Sequence, residues 1–119
     1  MRHRVFVYGT LLAGEENHHV LRGAAFVGRA QTAARYELRD LGPYPALVEG
    51  GNQSVTGEVY EVDDAGLSAL DAFEECPQLY RRVRIRLEEG SEVESYVQTR
   101  EQAGTSPRIV SGDWRTRGG

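Results

Sequence analysis

Two stretches of this sequence carry residues whose types and spacing could do chemistry. One is Val5-Phe6-Val7-Tyr8-Gly9-Thr10-Leu11-Leu12, where a β-branched and aromatic run stops at a glycine. A strand that ends there and turns toward a helix leaves several backbone N–H groups unpaired in one place. Fixed donors of that kind suit a carboxylate or a developing oxyanion, and glycine lets the ligand come close. The same residues also read as an ordinary strand end with its N–H groups on water. The second stretch is Leu70-Asp71-Ala72-Phe73-Glu74-Glu75-Cys76-Pro77. On a helix of about 100° per residue with Leu67 at zero, Leu70 falls about 60° to one side and Phe73 about 120°. Glu74 falls only about 20° from Leu67, inside the apolar stripe, and Glu75 about 80° off on the other side. The phase therefore points the Glu74 carboxylate inward and Glu75 to solvent. Burial disfavours a charged carboxylate and raises its pKa toward the range of a general acid/base, and the nearby helix C-terminus acts the same way. Alternatively, the stripe simply reaches the helix end and Glu74 bends out to water.

Other reactive side chains form no comparable pattern. His18 and His19 are adjacent, so they face different sides of a helix, and no third ligand is placed beside them or His3; no metal site is expected. Cys76 has no general base at a favourable spacing and reads as a small buried hydrophobe. Ser106 and Ser111 lie in a polar tail without a triad signature. Tyr44, Tyr80 and Tyr96 could line a pocket or the core.

The elements that would hold these residues follow from pattern. Val5 to Tyr8 has little polar interruption and reads as a central strand, followed by a short helix over 14–22 closed by Gly23. Segments 24–32, 35–40, 46–48 and 55–62 read as strands, with Gly42-Pro43-Tyr44-Pro45 a turn and Gly57 a bulge or close approach. Asp63-Asp64 are N-cap candidates for a helix over 65–74 or 75, ended at Cys76-Pro77. Segments 80–87 and 94–99 read as a hairpin joined through 88–91. In the tail from about residue 100 only Arg108-Ile109-Val110 and Trp114 look capable of docking. Six or seven strands with two short helices, and no regular strand-helix alternation, imply an α+β fold: a small mixed sheet curved toward a barrel with helices at its side.

At 119 residues the chain has room for one core, so residues 1–119 are expected to be a single domain. A formal charge of −4 argues against nucleic acid or an anionic membrane as partner, and Arg81-Arg82-Val83-Arg84-Ile85-Arg86 alternates like the solvent face of a strand. All 14 basic residues are arginine, which excludes lysine Schiff-base chemistry. One cysteine excludes an internal disulfide, and the apolar run after Met1-Arg2-His3-Arg4 is too short for a signal peptide or a membrane span. A cytoplasmic monomer is expected.

Taken together, the motifs resemble the γ-glutamylcyclotransferase-like family, and most closely its γ-glutamylamine cyclotransferase branch. The matching stretches are Val5-Phe6-Val7-Tyr8-Gly9-Thr10-Leu11 with Asn17-His18, Pro43-Tyr44-Pro45, Gly57-Glu58-Val59-Tyr60-Glu61-Val62-Asp63 and Leu70-Asp71-Ala72-Phe73-Glu74-Glu75-Cys76-Pro77-Gln78-Leu79-Tyr80-Arg81-Arg82. The tail after Gln98 carries no segment that extends the resemblance. The resemblance implies the γ-glutamylcyclotransferase-like fold and a small-molecule γ-glutamyl substrate. It also implies release of 5-oxoproline and a free amine, and no cofactor. It assigns substrate binding to Tyr8, Gly9, Thr10 and Leu11, and acid/base catalysis to Glu74. The leaving amine it suggests is an alkylamine such as the ε-amine of lysine, with a γ-glutamyl amino acid, glutathione or a biosynthetic intermediate as alternatives. The rival reading is a non-catalytic module that binds a γ-glutamyl or other small carboxylate ligand. Such a module has no reason to place an acid in an apolar stripe.

Overall fold

The strand that begins the chain lies at the centre of the sheet. In the structure, a computed structural model describing residues 1–117, β1 (Arg2–Val7) runs antiparallel to β5 (Thr56–Asp63) along one edge. Its other edge meets β7 (Glu92–Gln98) in parallel at Val5 and Glu94. The far edge of β5 takes β2 (Ala25–Gln31), and the far edge of β7 takes β6 (Arg81–Arg86), both antiparallel. β2 and β6 then meet beyond their ends. Thr32 bridges Leu87, the Ala33 N–H donates to the Arg86 carbonyl (3.0 Å), and the Glu88 N–H donates to that of Gln31 (2.9 Å). The ring β2-β5-β1-β7-β6 is thus the expected barrel-like sheet, and closure protects its edges.

A hairpin of β3 (Tyr36–Asp40) and β4 (Pro45–Glu49) branches from this ring, with β4 parallel to β7 at Leu47–Val97 and Val48–Gln98. Because β6 follows one edge of β7 throughout, β1 and β4 share the other and diverge along it. Phe6, Leu38, Leu47, Leu70, Ile85 and Val97 are buried in the core. Gly57 is a close approach, since a Cβ there would lie 2.2 Å from the Val7 carbonyl; the bulge is in β2, between Phe26 and Gly28. On β6, Arg84 and Arg86 stand opposite Glu94 and Glu92 and pair with them (3.4 and 3.2 Å), so the basic run has its counter-charge on the next strand. Among the described residues no helix is long and apolar enough to cross a membrane.

The expected helix over 14–22 is the main correction. Only His18–Leu21 forms a turn of 3₁₀ helix, and residues 9–17 are successive turns. Gly14, at φ 82°, breaks the helical backbone where the pattern suggested it should begin. Helix α1 spans Asp64–Phe73, with the Asp63 side chain accepting from the Gly66 N–H (2.8 Å). Its C-terminus is a Schellman motif. The Cys76 N–H returns to the Asp71 carbonyl (2.9 Å) and the Glu75 N–H to that of Ala72 (3.1 Å), with Glu75 left-handed at φ 51°.

The tail is more ordered than its composition suggests. Thr99 and Gln102 form a capping box over α2 (Arg100–Ala103), and the Gln102 amide donates to the carbonyls of Gln78 and Leu79. Ile109 and Trp114 dock as expected, whereas Val110 is 79% exposed. Arg115 then reaches the buried Glu58 (3.3 Å) and the Ala13 carbonyl (2.5 Å). The Schellman position at Glu75 is one that glycine occupies without a Cβ penalty, so Glu75→Gly should raise stability by about 1 kcal/mol. Denaturant unfolding of the two proteins checks this.

Candidate active site

Where β1 and β4 part, Tyr8 fills the gap. Its hydroxyl donates to the Tyr96 carbonyl on β7 (2.7 Å) and accepts from the Leu47 N–H on β4 (3.1 Å), stitching the diverging strands through a side chain. Gly9 follows, packed so tightly on Pro45 that a Cβ would lie 2.5 Å from its Cγ. The chain then turns. The Leu12 N–H donates to the Gly9 carbonyl (3.0 Å), Asn17 bonds Thr10 through backbone (2.9 Å) and side chain (3.1 Å), and His18 Nδ1 bonds the Leu11 carbonyl (2.8 Å). The Ala13 N–H donates to Glu58 (2.9 Å). Every anchor of the loop thus uses its carbonyls, its outer amides or its side chains. The N–H groups of Gly9, Thr10 and Leu11 donate to no acceptor among the described residues. These three residues help line a pocket of about 140 Å³, a size suited to an amino-acid-sized group.

Glu74 lines the same pocket. It is the residue after α1, yet its N–H still donates to the Leu70 carbonyl (2.9 Å), so the helical phase carries through and aims the side chain as its spacing from Leu67 and Leu70 requires. Glu75 is exposed, also as expected. Phe73 lines the pocket but is 38% exposed, less buried than its neighbours in the stripe.

Tyr8, Tyr80 and Tyr96 surround Glu74. None of them hydrogen-bonds to it. Tyr80 donates to the Pro45 carbonyl (2.6 Å) and Tyr96 to Asp71 (2.6 Å), while Tyr8 is committed to the two strands. Burial among these rings, without a compensating donor, pushes the Glu74 carboxyl up to about 7. Burial is also the leading reason that the three phenols lie well above their ordinary value, with the Glu74 charge adding to each, so they stay neutral donors.

The structure brings together all five residues singled out in the sequence: Tyr8, Gly9, Thr10, Leu11 and Glu74. Tyr8 lines the pocket while its hydroxyl is engaged by Tyr96 and Leu47. The histidines lie elsewhere, His3 on Asp64 (2.6 Å) and His18 on the loop carbonyl. Sequence reading missed Asp71, which accepts from both Tyr96 and Arg82, and the Glu58–Arg115 pair beneath the loop. Asp71 stands one helical turn from Glu74, a spacing that could have pointed to it.

A family model described as "Gamma-glutamyl cyclotransferase, AIG2-like" matches residues 5–116. The match therefore includes the tail, which the motifs alone did not reach. A Vibrio cholerae protein provisionally named gamma-glutamylcyclotransferase is 46% identical over 118 residues, covering 98% of this chain and 99% of that protein. The Bos taurus gamma-glutamylaminecyclotransferase is 47% identical over 92 residues, but these are 70% of this chain and only 55% of the bovine protein. The crystal structure of an AIG2-like protein from Mus musculus superposes with a TM-score of 0.71 at 37% identity, over 82% of this chain and 77% of that one.

Two outcomes follow from the packing and charge of the site. Gly9→Ala must drive Pro45 away from the loop, and should lower both stability and any activity of the pocket; melting and turnover measured together check it. For Glu74 the folded-state carboxyl, at about 7, lies above its ordinary 4.5. Below pH 4.5 the group is neutral in both states and carries no penalty; between 4.5 and about 7 the unfolded chain ionises while the folded state holds its proton, so stability falls, and the loss is complete once the folded carboxyl also ionises. Glu74→Gln should therefore melt higher than wild type at pH 8 and lose that advantage by pH 4, which thermal scans across pH would show.

Proposed function

The chain belongs to the γ-glutamyl cyclotransferase, AIG2-like family, and from that premise we propose that its pocket cyclises a γ-glutamyl amine to 5-oxoproline with Glu74 as general acid/base. The observation that carries the reading is that one raised carboxyl and three residues with unpaired amides line the same small cavity. The substrate's α-amino nitrogen attacks its own γ-carbonyl carbon, forming the lactam C–N bond. The bond from that carbon to the leaving amine then breaks. Glu74 takes a proton from the attacking nitrogen and returns one to the departing nitrogen, so the protons balance and the carboxylate is regenerated.

A single group serving both transfers works best with a pKa near the working pH, which burial among the tyrosines supports. The amides of Gly9, Thr10 and Leu11 hold the α-carboxylate, the γ-oxyanion or both. Nucleophile and carbonyl are already tethered, and well-oriented intramolecular reactions reach effective molarities of ~10⁵ M or more. Holding the glutamyl chain curled in a pocket of this size is therefore much of the catalysis. A lone free thiol at Cys76 accords with a cytoplasmic enzyme.

The test is 5-oxoproline release from γ-glutamyl-ε-lysine, a γ-glutamyl α-amino acid and glutathione. At least one should turn over, with kcat/KM rising through pH 7 as Glu74 ionises. Glu74→Gln should lose about 10²-fold or more, the usual share of a general acid/base, without a lower melting temperature. If nothing turns over while a γ-glutamyl compound still raises the melting temperature, the pocket is a binding site only.

A further inference from the structure

Once Glu74, the loop amides and the three tyrosines have been given roles, the α1 side of the pocket still presents Phe73, Glu75 and Leu79. Phe73 and Glu75 line the pocket although both are exposed, so they stand at its mouth, with the half-buried Leu79 between mouth and core. The Glu75 backbone is fixed by the two Schellman bonds, which leaves only side-chain rotation to vary the place of its carboxylate. That carboxylate has no ion pair or hydrogen bond among the described residues. Glu37, Glu58, Glu92 and Glu94, by contrast, are each paired with arginine. In a chain with 14 arginines, none lines this pocket, and neither does a histidine or lysine. The α1 side of the mouth is therefore apolar and anionic, and the pocket lining holds no cation.

With the glutamyl end on the loop amides and the γ-carbonyl beside Glu74, the leaving group extends to that mouth. We propose that Glu75 is a specificity-determining residue that selects γ-glutamyl amines whose leaving group carries an apolar stem and a second positive charge, the chemistry of a diamine. A leaving group ending in a carboxylate, as in an amino acid or peptide, meets two glutamates and no counter-charge. A zwitterion such as ε-linked lysine falls between. This selectivity rests on the cyclotransferase reading above.

The test compares three substrates of matched length: γ-glutamyl-1,4-diaminobutane, γ-glutamyl-butylamine and γ-glutamyl-4-aminobutyrate. Wild type should rank them by kcat/KM in that order, with each change of charge worth a few-fold, up to about fivefold, as exposed ion pairs allow. Glu75→Gln should compress the series, Glu75→Arg should reverse it, and high salt should compress it in wild type. The uncharged butylamine compound reports folding and chemistry in every variant, so the ratios are read against it. A series unchanged by either Glu75 substitution, or one led by the aminobutyrate compound in wild type, overturns the selectivity while leaving the chemistry standing. Failure of all three substrates overturns the chemistry and the selectivity with it.

Discussion

Glu74 shares its pocket with Tyr8, Tyr80 and Tyr96, and all three give their hydroxyl protons to other acceptors. A phenol donating to the carboxylate would stabilise the charged form and draw its pKa back down. Here each phenol is held by a backbone carbonyl or by Asp71, so the rings exclude water from Glu74 without solvating it. Those same bonds are structural. Tyr8 ties β1 to β7 and β4, Tyr80 ties the segment after α1 to the start of β4, and Tyr96 ties β7 to α1. One set of interactions thus closes the fold around the pocket and keeps the carboxylate poorly solvated. That state costs folding free energy at neutral pH, and barrel closure and core burial must offset it.

The loop that lines the pocket depends on a packing constraint. Three consecutive amides stay free only because the loop that bears them is held by everything else it has. Asn17 and His18 take its carbonyls, Glu58 takes the Ala13 amide, and Pro45 presses on Gly9 where any side chain would intrude. Glu58 is itself buried with Tyr60 (3.0 Å) and Arg115, whose guanidinium also grips the Ala13 carbonyl. The final described turn of the chain is therefore part of the loop's support, although it contributes nothing to the pocket lining. Preorganised donors of this sort need no rearrangement when charge develops against them.

Much of this was legible in the sequence, for identifiable reasons. The β-branched run at Val5 to Val7 could only be a buried strand, and the apolar stripe of α1 had a single phase, which carried one residue past the last helical turn to Glu74. The helix expected at 14–22 failed because its pattern of polar and apolar residues was real but short, and Gly14 with the loop's own turns satisfied the backbone another way. The tail misled by composition. Its capping box spans a single turn, and its decisive contact joins residues 57 apart in sequence, a distance at which local pattern says nothing. The tyrosines show the same limit. The types of Tyr44, Tyr80 and Tyr96 suggested pocket or core; all three line the pocket, and Tyr80 and Tyr96 are also buried in the core and hold the fold through their hydroxyls.

Two adjacent glutamates end α1, and the helix terminus gives them opposite environments. A regular continuation would separate them by about 100° and leave both directions subject to fraying. The Schellman closure replaces that with a fixed corner: Glu74 keeps its helical bond to Leu70 and its inward aim, while Glu75 takes the left-handed conformation and faces the opening. A glycine at that corner would make the same turn with less strain, but it would place no charge at the mouth. Keeping a side chain there is intelligible if the carboxylate itself has a use. On the proposed reading, the corner sets the inner acid for the reaction and the outer one for the choice of what leaves.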